Sequence, residues 1–237
     1  MQRFRKAMAA AIAIAVLGSV SSAQDHRFQA SLNFIMAYPQ NDFKMNVDRT
    51  FYGLSGEFFY QFPKSAFSAG LILEYMNYGS ETRTGPLSDD IPDVWVDVTT
   101  RNSILSLAAV LRLSPTGGPF RPYVEGLVGF NYLFTYTAIN DDGDWSEDIA
   151  TTTNFDDWAL TYGLGAGAIV RALDVRSHEG RSIFSMYFEI GLRYLKGGTA
   201  EYLRERSILR DQGSLTYAPL MSSTDLVKSH FGVVFRF

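Results

Sequence analysis

Histidine is the side chain most often used for proton transfer at neutral pH, and this chain has three: His26, His178 and His230. Ser229 precedes His230, but successive residues of a strand point to opposite faces, so the two cannot form a nucleophile and base pair. None of the three histidines belongs to a visible Ser/His/carboxylate arrangement. We therefore predict no catalytic residue.

Three small residues, Gly163, Gly165 and Ala168, fit the spacing of the G-x-G-x-x-G/A dinucleotide fingerprint. That fingerprint needs a strand before it and a helix after it, because the helix N-terminus holds the pyrophosphate. Here the alternation of apolar and polar residues continues through Val170 and Arg171. We interpret the glycines as relief of crowding on one face of a strand and predict no cofactor.

The acidic segment 140–148 could hold Ca²⁺ through carboxylate oxygens. It lacks the glycine and glutamate that an EF-hand loop has at fixed offsets, so a solvated acidic loop is the favoured interpretation. We predict no metal site.

Composition narrows the class of protein. The 237 residues are 46% hydrophobic and 19% charged, with no Cys and a formal net charge of −4. A disordered chain, a disulfide scaffold, a thiolate metal site and thiol redox chemistry are all excluded. The acidic balance argues against nucleic acid as a partner, since duplex binding needs a basic footprint.

The first 23 residues have the three parts of a secretory signal peptide. A cationic start is followed by the apolar run 7–17 and by the small residues Ser21 and Ala23. The alternative, an uncleaved anchor helix, needs an apolar run of about 20 residues. We predict a signal peptide over 1–23 and a single domain over 24–237.

The rest of the chain alternates apolar and polar residues with the period of a half-buried strand. Eight segments show this period: 27–36, 52–62, 66–78, 99–113, 120–136, 158–171, 184–194 and 227–237.

The connections between these segments alternate strictly in length. Three are short: 63–65, 114–119 and 173–181. Four are long and polar: 38–49, 79–98, 137–157 and 198–224. Short turns at one end and long loops at the other are typical of a transmembrane barrel, and aromatic residues near the strand ends would form its two girdles. The sequence predicts an all-β fold, an eight-stranded antiparallel up-and-down transmembrane β-barrel.

Three stretches resemble a known family. The stretch 231–237, which ends in Phe, resembles the last strand of bacterial outer-membrane barrels. The glycine-rich stretches 121–130 and 162–167 resemble strands of the small eight-stranded OmpA/OmpX-like barrels. The resemblance implies that Phe231, Phe235 and Phe237 form an assembly signal for the barrel-assembly machinery.

The face opposite Phe237 carries charges that would point into the barrel. These residues are Glu57, Glu74, Glu125, Glu189, Arg112, Arg171, Arg193 and Arg236, with Lys228 and His230 beside them. An eight-stranded barrel is just wide enough for side chains to fill it, and an unpaired ion there would cost several kcal/mol. We therefore predict a salt-bridged, plugged lumen; the alternative is a narrow water channel.

Together these observations predict a monomeric, integral protein of a Gram-negative outer membrane, with periplasmic termini and four surface loops. Its partners would be outer-membrane lipid and lipopolysaccharide. Its role would be non-enzymatic, in envelope integrity or in surface interaction. Two alternatives stay open: a small porin-like channel and a lipid-modifying enzyme. Arg204, Arg206 and Arg210 could bind lipopolysaccharide phosphates or belong to an ordinary solvated loop.

Overall fold

The computed structural model describes residues 27–88, 91–141, 150–176, 182–204, 207–211 and 214–237. Eight long strands form one closed antiparallel barrel, in which each strand pairs with the next and the last pairs with the first. These strands are β1 (Phe28–Pro39), β2 (Phe51–Gln61), β3 (Phe67–Ser88), β4 (Ile91–Leu113), β5 (Phe120–Asp141), β6 (Ala150–Arg176), β7 (Ser182–Gly197) and β12 (Leu226–Arg236). The predicted eight-stranded up-and-down barrel is confirmed.

The two faces of the sheet differ as the period-two pattern predicts. In β2, Leu54 and Phe58 point outward and are about half exposed, whereas Ser55 and Glu57 between them are buried inside the barrel. The other barrel strands follow the same rule, so the exterior is largely apolar and the interior polar and charged. This arrangement is the inverse of that in a water-soluble domain, where the apolar side is the buried one.

The predicted loops 79–98 and 137–157 are wrong in their bounds, because most of both segments is strand. β3 continues to Ser88 and β4 begins at Ile91, while β5 continues to Asp141 and β6 begins at Ala150. Threonine explains the extension, since it is β-branched and its hydroxyls can bond across strands. The Oγ1 atoms of Thr100 and Thr137, for example, are 3.1 Å apart. The apolar–polar alternation fades in 79–88 and 150–157, where polar residues predominate.

The two ends of the barrel are unlike. The turn end carries the connections 62–66 and 114–119. The loop end carries a short helix, α1 (Asn41–Asn46), and two small hairpins in the connection between β7 and β12. The hairpin strands are β8 (Thr199–Tyr202), β9 (Ile208–Asp211), β10 (Ser214–Tyr217) and β11 (Leu220–Ser223), with β8 paired to β11 and β9 to β10.

An apolar cap closes the loop end from inside. Phe43 of α1 is fully buried, and its ring centroid is 5.5 Å from that of Phe51 and 5.1 Å from that of Tyr202 in β8. Tyr78 packs against both Phe51 and Tyr202, and its hydroxyl donates to the carbonyl of Leu203 at 3.1 Å. The helix and the β8 hairpin therefore share one small core with the barrel wall.

Several sequence predictions fall on residues that the structure does not describe. These are the signal peptide over 1–23, most of the acidic segment 140–148, and His26 and His178. None of the helices in the described ranges has the length and apolar character needed to cross a membrane.

Candidate functional site in the barrel interior

Four buried carboxylates and three buried cations meet inside the barrel. Each projects from an inward position, so the alternation that faces apolar residues outward also brings these charges together. We call the group the ion ring: Glu57 (β2), Glu74 (β3), Arg112 (β4), Glu125 (β5), Glu189 and Arg193 (β7), and Lys228 (β12).

Arg193 contacts three of the four carboxylates. Its Nε donates to Oε1 of Glu125 at 2.7 Å and its Nη2 to Oε1 of Glu57 at 2.7 Å. Its Nη1 is 3.3 Å from Oε1 of Glu74. The planar guanidinium fork suits this multiple contact, and charge-assisted bonds of this kind are about twice as strong as neutral ones.

Arg112 contacts the opposite sides of two of these carboxylates. Its Nε donates to Oε2 of Glu125 at 2.8 Å, and its Nη2 is 3.3 Å from Oε2 of Glu57. The guanidinium also lies between two aromatic rings, with its Cζ 4.1 Å from the centroid of Phe59 and 4.0 Å from that of Tyr123. Cation–π contacts with two desolvated rings add to its ion pairs.

Two further contacts complete the ring. Lys228 Nζ donates to Glu74 Oε2. Glu189 Oε1 lies 3.0 Å from Arg112 Nη1 and 3.9 Å from Nε2 of His230. The same His230 nitrogen is 2.9 Å from the Tyr123 hydroxyl. Four glutamates thus face two arginines and one lysine, with His230 beside Glu189.

The alternation in the sequence predicts six of these seven residues for the lumen network and places Lys228 beside it. It does not single out Tyr123 or Phe59, which pack on Arg112. A signal for them was present, because both occupy inward positions where polar or small residues were expected. An aromatic ring at such a position indicates a stacking partner inside.

Arg171 and Arg236 are placed elsewhere, near the turn end. Arg171 pairs with Asp174, at 3.8 Å between Nη1 and Oδ2, and Arg236 interacts with Tyr187. Alternation predicts which face a residue occupies but not its height along the barrel, and the structure places these two apart from the ion ring. A register shift between Arg171 and Leu173 further displaces this part of β6.

The predicted assembly residues lie on the outer face. The Phe231 ring is 5.3 Å from that of Phe34, and Phe235 stacks on Phe184 at 5.6 Å. Phe237 stacks on Phe28 at 6.4 Å. Their part in assembly remains a prediction.

The ion ring can join strands but offers no visible catalytic chemistry. It links side chains from β2, β3, β4, β5, β7 and β12 across the interior. No group of His, Asp and Glu suited to hold a metal occurs in the ranges that the structure describes. The geometry is that of a network of ion pairs that links facing strands across the interior.

Gly191 makes the contact between Tyr123 and His230 possible. A Cβ at this position would lie 2.5 Å from Cε1 of His230 and 2.5 Å from the Tyr123 hydroxyl oxygen. We expect Gly191→Val to lower the free energy of unfolding by about 1–3 kcal/mol through overpacking. Urea titration of the protein in lipid vesicles, followed by tryptophan fluorescence, measures the change.

The matched control is Gly56→Val, since a Cβ at Gly56 meets no atom within 4 Å. We expect its urea midpoint to stay at that of the parent protein. Equal midpoints for the two valine variants would contradict the packing described here.

The fold is similar to that of three solved structures. They are Ail, the attachment invasion locus protein of Yersinia pestis, in complex with the heparin analogue sucrose octasulfate; Neisserial surface protein A (NspA); and a major outer membrane protein from Thermus thermophilus. Sequence identities are 14%, 12% and 13%, and TM-scores are 0.35, 0.38 and 0.42. The matches cover 89%, 88% and 89% of this chain and 99%, 95% and 99% of the others.

These likenesses concern the fold alone. No family model matches the sequence, and neither does any curated protein.

Proposed function

We propose that this chain is a monomeric, integral outer-membrane barrel with a closed lumen, which acts without catalysis in envelope integrity or surface interaction through its loop end. The apolar belt around a closed, charge-filled barrel is the observation that carries the proposal. Phe231, Phe235 and Phe237 would guide its assembly, and lipid and lipopolysaccharide would surround it.

The belt is too large for a surface in water. Leu71, Leu107, Val128, Leu164 and Ile190, on five neighbouring strands, are each more than half exposed and all point outward. Soluble monomers rarely expose continuous apolar patches above a few hundred Å². Lipid hydrocarbon can cover such a belt without the free-energy penalty of exposing apolar side chains to water. A closed barrel also leaves no strand edge unpaired within the bilayer.

Two barriers in series support a closed lumen. The ion ring links strands across the barrel interior, and the apolar cap of Phe43, Phe51, Tyr78 and Tyr202 closes the loop end. An eight-stranded barrel has an interior that side chains can fill completely. We therefore expect no continuous water-filled path through the described interior, and a structural or binding role is favoured over transport.

The loop end is strongly acidic. Its segments, 40–50, 77–104, 133–160 and 196–226, hold eighteen acidic and eight basic residues. The turn-end segments and the two ends of the mature chain hold three acidic and seven basic residues. The sequence of the loop-end segments thus carries an excess of negative charge, which suits a basic partner.

Planar-bilayer recording tests the closed lumen. We expect the purified mature protein to insert without steady, reproducible conductance, and to migrate differently on a gel before and after heating. Regular conductance steps would overturn the closed lumen. A mature chain that stays folded and monomeric in buffer without detergent would overturn the membrane assignment.

Epitope tagging tests which end is at the surface. A tag inserted between residues 88 and 91 is expected to be labelled on intact cells, and a tag in the turn 114–119 only after permeabilisation. The reverse pattern would contradict the proposed orientation, whatever the conductance result.

A further inference from the structure

A second group of cations lies inside the barrel at the turn end, apart from the ion ring. It comprises Arg121 (β5), Arg171 (β6) and Arg236 (β12), arranged around Tyr187 (β7), and we call it the arginine cluster. The Cζ atoms of Arg121 and Arg171 are each 6.0 Å from the Tyr187 ring centroid. Arg236 interacts with the Tyr187 hydroxyl and is close enough to Arg121 for their charges to repel.

In the described part of the chain, few carboxylates lie beside Arg121 and Arg171. Asp174 lies 3.8 Å from Arg171 and also accepts a hydrogen bond from Ser185 at 2.9 Å. Arg121 pairs with no carboxylate in the part of the chain that the structure describes. Among the described residues, Asp174 is thus the one carboxylate seen beside these two guanidinium groups, and the neighbouring positive charge of Arg236 disfavours the charged form of Arg121 further.

Arg121 has an unused donor. Its Nε donates to the carbonyl of Pro115 at 2.7 Å, and its Nη2 is 3.3 Å from the Ser114 hydroxyl. Its Nη1 is buried without a hydrogen-bond partner, although the residue is only 1% exposed. A buried, charged donor left unsatisfied is costly, so such a group points to a missing acceptor.

We propose that the arginine cluster binds an oxyanion, a phosphate or carboxylate group carried by a water-soluble molecule. Guanidinium groups match both oxyanions through paired N–H donors. The cluster residues occupy inward positions, whereas the neighbouring Phe120 points outward and is exposed on the belt. The ligand group would therefore reach the cluster from the water at the turn end and not from the bilayer. The site depends on the barrel alone and is independent of the role proposed above.

Inorganic phosphate and acetate are the probes, titrated into the mature protein in a detergent without phosphate groups. Calorimetry is expected to show saturable binding of at least one of them. Loss of one charge-assisted contact in Arg171→Gln should weaken that binding about tenfold or more. Arg171 is the chosen position because its side chain is 31% exposed, so the barrel is expected to tolerate its loss.

Arg83→Gln is the matched control, because Arg83 is an exposed arginine of β3 near the loop end, paired with Glu81. Its affinity for the anion should equal that of the parent protein. No saturable binding, or an equal loss in both variants, would overturn the proposal.

A second arm identifies the source of the anion. The titration is repeated in nanodiscs of phospholipid, where lipid phosphates surround the turn end. Unchanged affinity supports a water-soluble ligand. Complete loss of binding in nanodiscs would show that lipid headgroups occupy the cluster and would overturn the entry path from water.

Discussion

Arg193→Met is expected to lower the free energy of unfolding by about 3–5 kcal/mol, the usual cost of removing one partner from a buried ion pair. Methionine retains much of the side-chain volume but leaves Glu57, Glu74 and Glu125 with a shared deficit of positive charge. Urea titration in lipid vesicles, read by tryptophan fluorescence, measures the loss.

Two comparison variants separate this effect from a general loss of arginine. Arg83→Met, at an exposed ion pair, should change the free energy by less than about 1 kcal/mol. Adding Glu125→Gln to Arg193→Met should recover part of the loss, because one of the stranded carboxylates becomes neutral. A deficit below about 1 kcal/mol in Arg193→Met would mean that water enters the lumen and solvates the ions.

Phe43→Ala is expected to open the apolar cap without unfolding the barrel. Truncating a fully buried Phe costs about 3–5 kcal/mol. Here that cost destabilises the closed loop end relative to a locally opened one and leaves the barrel folded. Cleavage of the segment 40–50 by added protease should therefore accelerate by about two to four orders of magnitude. The barrel strands should remain protected.

Met45 provides the control on the same helix, because its side chain is 77% exposed. Met45→Ala should be cleaved at the rate of the parent protein. If both variants are cleaved equally fast, the helix is not held by Phe43, and the cap contributes little to closing the loop end.

Periodicity predicted the barrel because each strand carries its own signal, with apolar residues on one face from Phe28 to Phe235. It also predicted most of the ion ring, since residues on the inward face of an eight-stranded barrel share one narrow interior. It did not predict the axial positions of Arg171 and Arg236, because alternation contains no information about position along the barrel axis.

The cap could not be predicted from local sequence. Phe43 belongs to a six-residue helix, too short to show a helical period, and its partners Tyr78 and Tyr202 come from distant parts of the chain. The outer parts of β3 to β6 were missed for another reason. Segments in which polar residues predominate lose the alternation on which the prediction depends.

The pairing of β1 with β12, from Gln29 opposite Arg236 to Pro39 opposite Leu226, has a consequence for biogenesis. The first strand has no permanent neighbour on one side until the last strand has been delivered, so the cylinder is sealed only after the whole chain is available. Until then the edges of β1 and β12 are unpaired and the apolar outer face is exposed, and both features favour aggregation. A chain with this topology is therefore expected to need protection from aggregation until β12 has paired with β1.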